Sequence, residues 1–153
     1  MLYVECYPDE LLARLLGVPR REIRHARGKG NILNRLRNLQ AGQGMIDEDP
    51  WAPQPEELGQ YIEQERSGDL TLRVHKKNPR KRLIVVSPRL EEWLYVRAAV
   101  CGVRPADYGL PDTGPELRKI PRFDKDQRFE QFVKKLAADS AMQWLRRCLV
   151  EFR

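Results

Sequence analysis

The stretch "GKGNILNRLRNLQAGQGMIDED", Gly28–Asp49, decides the fold. Ile32, Leu33, Leu36 and Leu39 recur at helical spacing, so one face of a helix is apolar, and Gly42 ends it. "GMIDED" then reads as a short strand that turns abruptly acidic. Asp47, Glu48 and Asp49 are contiguous, and like charges this close repel unless water or a cation lies between them.

Working outward toward the N-terminus, "LYVEC" is an apolar strand that reaches Glu5. "PDELLARLLGV" sets Leu11, Leu12, Leu15 and Leu16 at helical spacing, with Asp9 as the expected N-cap and Gly17 as the stop. "EIRHA" is a short strand candidate that precedes "GKGN". Strand, helix, strand, helix, strand, all with short connections, predicts right-handed βαβ units on a parallel sheet.

Downstream, the proline-rich "PWAPQPEELGQ" opens a loop or short helix, and "EELGQYIEQER" is expected to be helical. "LTLRVHK" and "RLIVVS" are two further strands separated by a "KNPRK" turn. "PRLEEWLYVRAAVCG" starts a helix near Pro88 and ends at Gly102. From Phe129 to Phe152 the apolar residues hold one helical stripe, read as core packing, and Ser140 with Gln143 predicts a capping box. The expected architecture is α/β: a mostly parallel, Rossmann-like sheet flanked by helices over residues 1–90, with 91–153 as a C-terminal helical extension of the same compact domain.

The net charge of +6 is moderate, but its distribution is uneven. Arg73–Arg89 is rich in Lys and Arg without an acid, Arg20–Lys29 is a second basic stretch, and Asp47–Asp69 between them is acidic. Basic flanks around an acidic centre suit a polyanion held near a metal site. Arg24, His25, Arg27, Lys29, Lys76, Lys77, Arg80, Lys81 and Arg82 are then the expected nucleic-acid contacts; the plainer reading is a solvated surface. Cys6, Cys101 and Cys148 show no ligand spacing and are expected to be buried thiols of a reducing cytoplasm. No signal peptide and no membrane span are expected, since acids follow within five residues of the start and no apolar run is long enough.

Ligands of parallel α/β sheets gather at the carboxyl ends of the strands. Glu5 ends the first strand, and Asp47 and Asp49, two apart on an extended segment, face the same side at the end of the third. Three carboxylates meeting at one point form a hard-oxygen site suited to Mg²⁺ or Mn²⁺. Lys29 lies where a helix N-terminus would meet a phosphate, although "GKG" alone lacks P-loop spacing. Trp51 is expected to cover core rather than to stack on a base.

The order "VECYPD", "GKGN", "IDEDP" resembles the Toprim domain shared by topoisomerases, bacterial primases, recombination-repair proteins and OLD-type nucleases. Glu5, the Gly28/Gly30 pair, and Asp47 with Asp49 stand where that family has a glutamate, glycines and a DxD pair on successive strand ends, and Asp9 matches an acid four residues beyond the glutamate. Cys6 replaces a common glycine, and Pro50 follows the DxD with no glycine shortly beyond. The resemblance covers the first half of the chain, reaching residue 90 if the fifth strand is included. It implies Mg²⁺- or Mn²⁺-dependent phosphodiester chemistry, most simply a nuclease. Glu5, Asp47 and Asp49 would be the metal-holding and catalytic residues, with Lys29 beside the phosphate. Asp9 and Glu91 would be donors to a second metal, although an acid in a helix's first turn also suits the helix dipole. A small Toprim protein without an ATPase domain implies a role as one component of a defence or repair system, with a protein partner such as an ATPase. The competing expectation is a non-catalytic module that holds nucleic acid or a protein.

Overall fold

A computed structural model of the chain describes residues 1–152. The first half runs β1 (Leu2–Val4), α1 (Tyr7–Leu15), β2 (Ile23–His25), α2 (Lys29–Arg37) and β3 (Gly42–Asp47). A loop then leads to β4 (Tyr61–Ser67), β5 (Leu70–His75) and β6 (Asn78–Val86). The remainder is helical: α3 (Leu90–Cys101), α4 (Gly114–Arg118), α5 (Gln127–Lys135) and α6 (Ser140–Glu151).

All six strands join one sheet in the order β2-β1-β3-β6-β5-β4. β2, β1, β3 and β6 are parallel, whereas β5 and β4 run antiparallel to their neighbours. The result is a Rossmann-like α/β fold in which β1 and β3 are adjacent, so their carboxyl ends share one rim. Gly28 opens α2 with φ of +97°, a conformation that favours glycine. Gly44 matters for a different reason. A Cβ there would lie 2.6 Å from Ile32 Cγ2 and 2.9 Å from Leu83 Cδ2, so its absence lets α2 close on the sheet.

The helices are divided unevenly between the two faces. Residues of α1, α3, α5 and α6, among them Leu12, Trp93, Phe132 and Leu145, pack with Val4, Met45 and Ile84 in the larger core. Ile32, Leu33 and Leu36 of α2 cover Ile46, Leu83 and Val85 on the other face. No helix of the described residues is long and apolar enough to cross a membrane.

Several local expectations are corrected. The segment read as one helix, "EELGQYIEQER", is a 3-10 turn over Glu56–Gln60 followed by strand β4. β4 is an edge strand with Ile62–Arg66 exposed, so half-burial never imprints its alternating pattern on the sequence. β6 already begins at Asn78, inside the expected turn. Asp9 is not the N-cap of α1; Cys6 is, and the Asp9 carboxylate accepts the Cys6 N–H at 3.2 Å. Asp139, not Ser140, caps α6 by accepting the Met142 N–H at 3.1 Å, and it also pairs with Arg97.

Candidate functional site

The rim at the carboxyl ends of β1, β3 and β6 collects acids from four places in the chain. Glu5 follows β1 and accepts the Asp47 N–H at 2.8 Å. Asp47 ends β3 and accepts the Leu90 N–H at the start of α3 at 3.0 Å. Asp9 reaches the cluster from the first turn of α1 and Glu91 from that of α3, at 3% and 7% exposure. Pairing of β3 with β6 continues past the strand ends, as the Glu48 and Asp49 amides donate to Val86 and Pro88 oxygens at 2.8 and 2.9 Å.

Asp49 arrives by a route that strand alternation did not foresee. Its φ of +43° turns it out of the extended chain, and its carboxylate pairs with Arg89 at 3.0 Å. Asp47 and Asp49 nevertheless line one cleft, whereas Glu48 lines a separate pocket with Lys29 and Gln54.

Crowding in a half-dry rim displaces these acids from ordinary behaviour. Burial, then the charges of Asp9, Glu5 and Glu91, push Asp47 up to about 9. Asp9 is pushed up to about 7 by burial and by Glu5 and Glu91, against the opposing pull of its bonds from Cys6. Glu5 is raised by burial and by Asp49, while the Asp47 amide and the Lys29 charge hold it down. Such a cluster is relieved by protons or by a cation.

The donor types fit a hard divalent cation, since every acid offers carboxylate oxygen. As the side chains stand, however, no group of three His, Cys, Asp or Glu among the described residues is arranged to enclose a metal. Asp49 is engaged by Arg89, and Glu91 is held by Arg118 at 3.4 Å. Asp49 can therefore meet Glu5 and Asp47 only by leaving Arg89.

Asp47, Asp49 and Glu91 open into a cleft of about 530 Å³, whose walls include Arg89, Arg118 and Arg122. Arg118 and Arg122 were not singled out from the sequence because they stand in a connector without periodicity. α4 carries Arg118 against α3, where a Cβ on Gly114 would meet Glu92 N at 3.0 Å and Glu91 C at 3.1 Å. Arg118 binds Glu92 at 2.5 Å as well as Glu91. Arg122, with φ of +47°, pairs with Asp124 at 2.9 Å and lies 3.6 Å over the Tyr7 ring.

The expected basic residues divide between the two ends of the sheet. Arg24, His25 and Arg27 lie at the end of β2, on the acidic rim; His25 pairs with Glu10 and packs 4.5 Å from the Tyr7 ring. Lys29 Nζ is directed away from the cleft, donating to the Glu48 carbonyl at 2.6 Å and to Gln54 at 2.9 Å. Lys76, Lys77, Arg80, Lys81 and Arg82 occupy the opposite rim, for Lys81 pairs with Gly42 at the start of β3. From Arg80 to Val86 the strand spans roughly 20 Å, so the basic run and the acids are neighbours in sequence only. Arg82 instead stacks on Phe152 at 4.7 Å. A larger concavity, about 750 Å³ beside β2 and α2, is lined by Arg27, Arg35 and asparagines and holds no carboxylate.

Two further expectations change. Trp51 covers no core: it is 72% exposed, with the Arg89 guanidinium 5.7 Å above its ring. Of the three thiols Cys148 is buried, Cys6 is half-buried and Cys101 is exposed.

No protein-family model, no curated protein and no solved structure matches the chain.

Proposed function

We propose that the protein performs Mg²⁺- or Mn²⁺-dependent phosphodiester chemistry on nucleic acid, as a nuclease of Toprim type. The meeting of Asp47, Asp49 and Glu91 with Arg89, Arg118 and Arg122 at one cleft, with Glu5 and Asp9 close enough to act on Asp47, carries this reading. A phosphodiester needs cationic charge at its anionic oxygens and donors that keep a divalent cation beside them. Glu5 and Asp47, joined by Asp49, would hold the cation; Asp9 and Glu91 would serve a second. A cation held there would supply Lewis-acid charge to a phosphoryl oxygen. Arg89, released from Asp49, would offer a substrate phosphate a planar two-pronged donor. Burial raises the Glu5 carboxyl, and the Asp47 amide, the Lys29 charge and the Lys29 amide oppose that rise.

The test is incubation of purified protein with plasmid and with single-stranded RNA in Mg²⁺, Mn²⁺ or EDTA. Metal-dependent cleavage that disappears in Glu5→Gln and Asp49→Asn, with binding retained, upholds the nuclease. Undiminished cleavage in both variants refutes it. A second reading, a non-catalytic nucleic-acid or protein binding module, is favoured by the Asp49–Arg89 and Glu91–Arg118 pairs, which already neutralise two of the acids. Binding without cleavage in any metal, indifferent to those substitutions, selects the module.

A further inference from the structure

Among the described residues only two aromatic side chains are exposed, Tyr7 at 48% and Trp51 at 72%; Tyr7 lines the acidic cleft, and Trp51 lies against Arg89, which lines it too. A singly exposed ring is ordinary on a protein surface, so it is the pairing of each ring with an arginine of the same cleft that is informative. Each ring carries a guanidinium: Arg89 over Trp51 at 5.7 Å and Arg122 over Tyr7 at 3.6 Å. Each guanidinium is held by an aspartate, Asp49 for Arg89 and Asp124 for Arg122. The only non-glycine residues with positive φ among the described residues, Asp49 and Arg122, belong to these two assemblies. Such backbone costs about 1 kcal/mol or more per residue and persists where surrounding contacts enforce it. The chain thus builds the same device twice, and Arg89 and Arg122 of the two devices line one cleft.

We infer that the cleft takes a single-stranded nucleic acid, with unpaired bases stacked on the Trp51–Arg89 and Tyr7–Arg122 platforms and the intervening phosphates facing the cleft. The inference rests on the nucleic-acid reading above and names its substrate class. A duplex hides its base faces within its own stack, so it has nothing to offer two aromatic platforms. An unpaired strand presents a π-face at every nucleotide, and stacking on an aromatic ring tolerates any base. Arginine planes stack on bases as aromatic rings do, so each ring and its guanidinium extend one platform. On the Tyr7 side the column continues to His25, 4.5 Å from the ring.

The test is fluorescence anisotropy in EDTA with labelled twenty-nucleotide probes: oligodeoxyribonucleotide, oligoribonucleotide, the corresponding duplex, and an abasic strand of equal charge. Single strands of either sugar, or of both, should bind at least tenfold more tightly than the duplex and the abasic strand. Trp51→Ala and Tyr7→Ala should each weaken single-strand binding about tenfold, while Trp51→Phe, which keeps a ring, stays within about threefold. Base stacking should also quench tryptophan emission in the wild type and not in Trp51→Phe, because Trp93 and Trp144 are buried. Equal affinity for abasic and base-bearing strands overturns the inference. So does preferential duplex binding that ignores both alanine variants. In either case metal-dependent cleavage lost in Glu5→Gln would leave the proposed function standing. Absence of binding to every probe, together with absence of cleavage, removes both.

Discussion

Replacing Asp47 with asparagine should stabilise the cation-free protein, and by an amount that grows with pH. The unfolded chain releases the Asp47 proton near 3.8, whereas the folded chain holds it to about 9, because the site is buried and faces three other acids. A folded-state pKa raised in this way gives stability that is complete below 3.8 and is lost progressively as pH rises toward 9. Each pH unit in that interval removes about 1.4 kcal/mol, so between pH 5 and pH 8 the ceiling on the loss is about 4 kcal/mol. Asparagine has no proton to hold and still offers an oxygen to the Leu90 amide, so the variant escapes this penalty. For a chain of this size 1 kcal/mol moves the melting temperature by about 2–4 °C. The melting-temperature advantage of Asp47→Asn should therefore widen by up to about 8–16 °C from pH 5 to pH 8, read by circular dichroism in EDTA. Mg²⁺ should raise the wild-type midpoint at pH 8 and leave the variant's nearly unchanged. An advantage that is equal at the two pH values, or a variant less stable at pH 8, would show that Asp47 does not sit in a repelling carboxylate cluster.

Gly44→Ala should lower stability by about 2 kcal/mol, since its methyl would meet Ile32 and Leu83, whereas Gly30→Ala, with open space around it, should melt close to wild type. Arg118→Met should cost about 2 kcal/mol in urea unfolding, because Glu91, nearly buried, loses its guanidinium partner. With a thiol reagent at pH 8 the folded protein should show one accessible cysteine, Cys101, with the other two reacting only after denaturation. Burial and the Asp139 carboxylate raise the Cys101 thiol, so its rate should remain below that of a free thiol and climb steeply above pH 8.

The βαβαβ half was legible because its helices and strands announce themselves by period and are punctuated by Gly17 and Gly28, whereas Gly42, expected to end α2, opens β3 after α2 has stopped at Arg37. The alternation left the strand order open; the adjacency of β1 and β3 that brings Glu5 to Asp47 is settled by the fold. The helix–strand error at Tyr61–Ser67 arose because glutamate, glutamine and arginine favour helix locally, while pairing with β5, invisible in the sequence, decides the outcome. The position of Asp49 depended on one left-handed residue, and no spacing rule encodes that. Arg118 and Arg122 reach the cleft through the path of a Pro- and Gly-rich connector. The basic run at Lys76–Arg82 misled for the converse reason: chain neighbours of an acidic strand end are carried to the far end of the sheet by a strand that starts there.

β4 leaves one long backbone edge of the sheet without a partner, and a row of free amides and carbonyls is a template on which a second molecule can assemble. Glu63, Glu65 and Arg66 stand along that edge, and the pairing slips between Glu63 and Glu65, so the strand is both charged and buckled. Its bond to Arg66 holds Glu63 below the usual carboxylate range, so the charge persists well into acid. Protection against amyloid-like zipping is thus vested in a few surface charges remote from the cleft, and variants that neutralise Glu63 and Glu65 together would self-associate while their chemistry stayed intact.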